Sequence, residues 1–242
     1  MAGVVELLAQ SLGWQVRKAN CIVEGTSDVF YFKHAARLYR ERHDVDLLGD
    51  DFAVLPAGRG EEGGVDGIND RFRMAKQLAD LDLRHDGSRQ YRFIGLFDND
   101  DAGRKAFTRG SGLTRRIEGY RDLFLLHPIM PQMNGAGAST VAARAKDLNK
   151  GYPQLDWEVE DLVSPEIFRV FEADYGSQIR RTQIVGDRTH RDLSWDGKVK
   201  LQHCVRDYAE LEHLSEIIAL ICALRNYLHL RTDHIVVPHP VF

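Results

Sequence analysis

Phe93-Ile94-Gly95-Leu96-Phe97-Asp98-Asn99-Asp100-Asp101-Ala102-Gly103 is the stretch whose reading decides the fold. The run Phe93 to Phe97 is apolar throughout and too short for a helix, so it reads as a buried strand. It ends on Asp98, with Asp100 two residues on and helix-starting acids after it, where the helix dipole favours negative charge. An earlier stretch, Ile22-Val23-Glu24-Gly25-Thr26-Ser27-Asp28, repeats the design. An apolar strand ends on Glu24, Gly25 turns the chain, Thr26 or Ser27 caps a helix, and Asp28 falls in its first turn.

Working outward, strands are expected at Asn20–Glu24, Asp51–Gly58, Phe93–Phe97 and Arg121–Pro128. Helices are expected between them, at Asp28–His43, Ile68–Asp82 and Asp100–Gly110, with a further one at Gly137–Lys150 and a short amphipathic one at the N-terminus. Strand and helix alternating in this way predict an α/β fold, a mainly parallel sheet with helices on both faces. From Ser164, where Ser164-Pro165 is a helix-start signal, the chain reads as mostly helical, with a polar, basic segment at Ile179–Lys200. The expected division is therefore a unit over 1–163 and a helical extension over 164–242. The long apolar face Leu211, Leu214, Ile217, Ile218, Ile221 and Leu224 reads first as core, and second as a homodimer or partner interface.

Composition excludes several classes. The chain has 242 residues, 43% hydrophobic and 28% charged, with a net charge of −4 and no global basic signature. Its three cysteines, Cys21, Cys204 and Cys222, are widely spaced, which predicts reduced thiols in a cytoplasmic protein and no zinc site. No stretch reads as a signal peptide or a membrane span. Gly58 to Gly64 lacks the Gly-Lys-Ser/Thr ending of a phosphate-binding loop, and two glutamates within it would repel phosphate. None of the histidines shows trusted metal spacing, and His34 reads as structural.

In open parallel sheets, ligands bind beyond the carboxyl ends of the strands. If the strands before Glu24 and Asp98 are neighbours, Glu24, Asp28, Asp98 and Asp100 converge. Crowded carboxylates repel unless they take up protons or a cation neutralises them, and a hard divalent cation, Mg²⁺ or Mn²⁺, suits oxygen ligands. Each acid taken alone is an ordinary cap or turn residue.

Together, "IVEGTSD" and "FIGLFDNDDAGRKA" resemble the Toprim fold shared by topoisomerases, bacterial primases and overcoming-lysogenization-defect (OLD) nucleases. That fold, a Rossmann-like parallel sheet, carries a glutamate at the end of its first strand and an Asp-x-Asp at the end of its third; the resemblance covers Cys21 to Leu126. Asp28 makes the first motif resemble the OLD nuclease branch, in which a second acid serves a second metal. Trp157-Glu158-Val159-Glu160-Asp161-Leu162 resembles that branch's late acidic motif. The resemblance implies a nuclease with two Mg²⁺ (or Mn²⁺) ions, Glu24, Asp98 and Asp100 holding one and Asp28 with Glu158 or Glu160 the other. Alternation in an extended segment would put Glu158 and Glu160 on one face. The branch also implies a basic residue near the scissile phosphate, for which Lys105, Lys146 and Lys150 are candidates. A partner ATPase is implied too, in an anti-phage defence system. Arg104, Lys105 and Arg109, with Arg115, Arg116 and Arg121, form one candidate nucleic-acid path. Arg180, Arg181, Arg188, His190 and Arg191 form another. The alternatives are a primase-like Toprim enzyme and a non-catalytic module that binds nucleic acid or a partner.

Overall fold

β1 (Ala19–Val23) is buried at every position and sits inside the sheet of the computed structural model, which describes residues 3–58, 64–112 and 116–238. β2 (Phe52–Pro56) flanks it on one side and β3 (Arg92–Phe97) on the other, and β4 (Leu123–Leu125) pairs with β3. All three pairings are parallel. Full burial explains the unbroken apolar runs, because helices cover both faces.

Alternate side chains divide between two cores. Cys21 and Val23 of β1 and Ile94 and Leu96 of β3 face one core; Ile22, Phe93 and Phe97 face the other. The second core is closed by α1 (Val4–Leu12), α3 (Gly64–Ala79) and α4 (Asp101–Gly112), through Val5, Phe72 and Ala106. The first is closed by α2 (Thr26–His43), α6 (Pro165–Tyr175), α7 (Trp195–Tyr208) and α8 (Ser215–Tyr227). α5 (Ala138–Leu148) adds Val141 to it. The α/β class and the parallel sheet are as expected.

The C-terminal part differs from its sequence reading. The basic segment forms an antiparallel hairpin, β5 (Ile179–Val185) and β6 (Arg188–Leu193), turned at Gly186 with φ +63°. α7 follows directly. The apolar face from Leu211 to Leu224 is carried by a 3₁₀ turn, Leu211–Leu214, followed by α8, and it is buried throughout, as the core reading has it.

The chain does not separate its packing at Ser164. Tyr31 and Phe32 of α2 share one core with Phe168, Val205, Ile217 and Ile221. Buried Arg225 of α8 reaches back to the residue before β2, with Nη1 and Nη2 each donating to the Asp51 carboxylate at 2.9 Å. All three cysteines are free and buried. No described helix is long and apolar enough to cross a membrane. The loop expected at Gly58 to Gly64, Arg115 and His239 lie wholly or mostly outside the described residues.

One shared core predicts one unfolding transition. Ile221→Ala should destabilise the whole chain by about 2–5 kcal/mol, the usual cost of emptying a buried aliphatic site. Urea melts followed by tryptophan fluorescence and by far-ultraviolet dichroism should shift together. Two separated transitions, with only the later one insensitive to Ile221→Ala, would show a split core.

Candidate functional site

The strand order β2-β1-β3-β4 puts the second strand on one side of β1 and the third on the other. The crevice between the carboxyl ends of β1 and β3 is therefore the switch point at which open α/β sheets take ligands. Glu24 follows β1 and Asp98 follows β3, and with Ile22 paired to Gly95 the two acids stand within one residue of the same height. The Asp98 backbone N–H donates to Glu24 Oε1 at 3.4 Å. Asp28 lies in the first turn of α2, its Oδ2 accepting from the Gly25 N–H at 2.9 Å. Asp100 accepts from the Gly103 N–H at 2.6 Å and so caps α4. Gly103 is required by space: a Cβ there would sit 1.9 Å from the Asp98 carbonyl oxygen. Gly25 is not, since its backbone is extended (φ −151°) and an added Cβ would meet nothing nearer than 3.9 Å.

A second segment reaches this edge through the backbone. Asn99 donates its N–H to the Trp157 carbonyl at 2.8 Å, and Trp157 returns an N–H to the Asn99 carbonyl at 3.3 Å. Asp98 and Glu158 are thereby neighbours. The chain after Glu158 is not extended, as alternation would have it. It closes into a 3₁₀ turn over Val159–Leu162. Asp161 holds that turn: its Oδ2 accepts from the Glu158 N–H at 2.8 Å and pairs with His190 Nδ1 at 2.7 Å, while Oδ1 accepts from the Arg191 N–H at 3.2 Å. Glu158 and Glu160 come together through their common approach to one ammonium group and not through strand alternation.

That ammonium is Lys198, on the first turn of α7. Its Nζ lies 2.8 Å from Glu158 Oε2 and 3.4 Å from Glu160 Oε1. The helix start is set by Ser194, whose Oγ accepts from the Gly197 N–H at 2.9 Å. Sequence reading did not single out Lys198, although Ser194-Trp195-Asp196-Gly197 is a recognisable helix start placing it one turn in.

Like charges shape the site. Burial, followed by repulsion from Asp28 and Asp100, pushes Glu24 up to about 8. Burial and the Glu160 carboxylate raise Asp28 to about 6, and the same two causes raise Glu158 to about 7. Asp98 is raised well above the usual carboxylate range by burial, then by Glu24, Asp28 and Glu158. Burial alone would lower Lys198, but Glu160, Glu158 and Asp98 outweigh it and hold the ammonium well above an ordinary lysine. Tyr31, buried on α2, has a hydroxyl with no hydrogen-bond partner, and burial and the nearby Glu160 raise it well above an ordinary tyrosine.

Five carboxylates thus feel one ammonium, and a sixth, Asp100, acts on Glu24. Among the described residues, both Glu160 oxygens are buried without a hydrogen-bond partner, and so is Glu158 Oε2 despite its short distance to Lys198. An all-oxygen, over-negative donor set of this kind fits a hard divalent cation such as Mg²⁺ or Mn²⁺. The acids that could hold it are Glu24, Asp28, Asp98, Asp100, Glu158 and Glu160. Among the described residues, however, no three or more such groups stand gathered as a ready ligand set. Lys198 bridges two of the acids instead.

Several of the basic candidates pair with acids. Arg104 is turned inward, donating to the Asn99 carbonyl at 2.6 Å and to Asp156 at 2.9 Å, so it braces the Asp98–Asp100 turn against the Trp157 segment. Lys105 pairs with Asp101 at 2.6 Å and Arg109 with Asp66 at 3.0 Å, both exposed. Lys150 pairs with Asp147. In the hairpin, Arg181 pairs with Asp156, Arg188 with Glu216, Arg191 with Glu172 and buried His190 with Asp161. Four of the five basic residues of that second stretch are thus tied into carboxylate pairs.

A pH dependence follows from the raised carboxylates. The folded chain binds more protons than the unfolded one between the ordinary carboxylate range and about pH 8. Stability must then fall as pH rises through that window. In EDTA, the melting midpoint should drop by several degrees between pH 6 and pH 8.5, where about 1 kcal/mol moves a chain of this size by about 2–4 °C. Mn²⁺ should restore it at pH 8.5 and do little at pH 5.5. A flat profile in EDTA would refute the repulsive cluster.

Comparison of the chain with protein-family models, with curated proteins and with solved structures finds no match.

Proposed function

We propose that the chain is a divalent-cation-dependent nuclease of the Toprim, OLD-like kind, hydrolysing phosphodiester bonds in nucleic acid. One observation carries the reading: Glu24 and Asp98 end adjacent parallel strands at the switch point, and the Asn99–Trp157 backbone pair brings Glu158 and Glu160 to them. Asp28 and Lys198 act electrostatically on the same carboxylates.

A bound Mg²⁺ or Mn²⁺ would supply a Lewis acid that lowers the pKa of water and offsets phosphate charge. Glu24, Asp98 and Asp100 would hold one ion, and Asp28 with Glu158 or Glu160 a second. The chain's own groups do the rest. Lys198 takes the place of the basic residue that the resemblance implies, its ammonium able to stabilise charge on a phosphate oxygen once the acids engage cations. Asp161 and His190 position the Glu158–Glu160 turn. Nucleic acid as substrate, a partner ATPase and a role in phage defence belong to the same proposal and rest on the resemblance.

A second reading, a non-catalytic module, is favoured by one observation: Lys198 already bridges Glu158 and Glu160 without a cation. Titration with Mn²⁺ separates the two, since a module of that kind would bind none at the acidic edge.

The decisive measurement is cleavage of plasmid, linear DNA and tRNA with Mg²⁺ or Mn²⁺, with and without the product of the neighbouring gene. Glu24→Ala and Asp98→Ala should each abolish cleavage. Lys198→Ala should lower it by about 10²–10³-fold, as for loss of a group that stabilises developing charge. Lys198→Arg should keep the fold and part of the rate. Full activity in Glu24→Ala would defeat the proposal.

A further inference from the structure

The opposite end of the sheet holds a cavity of about 970 Å³, lined where β1 and β3 begin and where α8 ends. Seven cationic side chains and two carboxylates line it, a formal excess of five positive charges. The whole chain carries a net charge of −4, so this concentration runs against its background.

The charges are of two kinds. Lys76 and Arg121 are neutralised locally: Asp122 accepts from Lys76 Nζ at 2.7 Å and from Arg121 Nη2 at 2.6 Å. Arg89 is similarly paired with Asp80 at 2.8 Å. These pairs brace the wall. Lys18, Arg84, Arg92 and Arg116 line the same space, and among the described residues none has a carboxylate partner. Arg84 donates only to Ser88 Oγ and the Gln90 carbonyl, and Arg92 only to the Leu228 carbonyl. Four positive charges without a carboxylate in contact, Arg84 having only Asp86 as a more distant counter-charge, repel each other around one concavity, and an anion that fills it relieves that repulsion. Guanidinium forks match phosphate oxygens in pairs.

We propose that this cavity binds a compact phosphate-bearing ligand of nucleotide size, at a site separate from the acidic edge. The volume lies at the upper end of small-ligand pockets. The two ends are held apart by β1: Lys18 and Glu24 are six residues apart along an extended strand, about 20 Å. A phosphate in the cavity therefore cannot be the one at the carboxylates. The cavity's concentrated basicity and its size favour a polyphosphate or nucleotide over a passing strand of nucleic acid, which would need a track continuing from one edge to the other. The proposal stands whether or not the acidic edge cuts nucleic acid.

Calorimetric titration of the full chain in EDTA tests it, with ATP, pyrophosphate and a ten-nucleotide single strand as separate probes. Saturable binding of ATP or pyrophosphate is expected, weakening with salt. Lys18→Glu combined with Arg116→Glu should weaken it at least about tenfold, the equivalent of losing one good charged contact. Arg84→Gln gives a milder check should the double variant melt early. Glu24→Ala should bind pyrophosphate like the parent. Any of three results would overturn the proposal: no phosphate probe binding up to roughly 1 mM, a range set by the weakest specific affinities; unchanged binding in both variants; or binding of the oligonucleotide alone.

Discussion

Lys198 is the charge on which the acidic edge depends. Glu158 and Glu160 converge on its ammonium, and Asp98, Glu24 and Asp28 all feel it. Without a cation there, a cluster of six carboxylates in a partly buried crevice would have to take up protons or come apart. One ammonium cannot offset six acids, and the raised carboxylates express what is left over. The fold tolerates this strain because the acids are fixed from behind. Asp100 caps α4, Asp28 bonds the turn at Gly25, and Asp161 holds the 3₁₀ turn to β6. Each backbone bond holds a carboxylate in place, so the residues that look like caps in isolation are caps.

Much of this architecture was legible in the chain itself. The four parallel strands are short, mostly buried and mostly apolar runs, a pattern that local sequence displays without help from tertiary context. The adjacency of β1 and β3 was a condition and not a result, because strand order is set by how helices cross the sheet and leaves no mark on either strand. Once that condition is met, the placement of Glu24 beside Asp98 follows from register alone. The hairpin was hidden for the opposite reason. β5 is largely exposed, so Arg180, Arg181, Thr182 and Gln183 show no alternation of apolar and polar residues, and only Gly186 marks the turn. Its arginines read as a free basic face because their partners, Asp156, Glu172 and Glu216, lie far away in sequence.

The carboxylates of the site were read from strand ends, but the groups that position them were not. Asp161 stands next to Glu160 in sequence, yet its role depends on His190 and the Arg191 backbone some 30 residues later. Tyr31 reads as one more aromatic on a helix face. Lys198 carries no motif, and only a helix start at Ser194 fixes its height in the fold. Long-range charge pairs have no local signature. Sequence reasoning therefore finds acids that follow strands and misses the cation that faces them.

The same limit conceals a larger asymmetry. A net charge of −4 suggests a mildly acidic molecule with nothing to distinguish its ends. The folded chain instead sorts its charges along the strand direction. Carboxylates gather where β1 and β3 finish, and lysine and arginine without a carboxylate in contact gather where the same strands begin. Parallel pairing makes this possible, because every strand contributes its first residues to one edge and its last to the other. Lys18 and Glu24 belong to one short segment, as do Arg92 and Asp98, so each central strand carries a cation at its start and an acid at its end. Two edges of opposite sign, about 20 Å apart at the strand rise of a parallel sheet, lie further from each other than a Debye length, so neither screens the charge of the other.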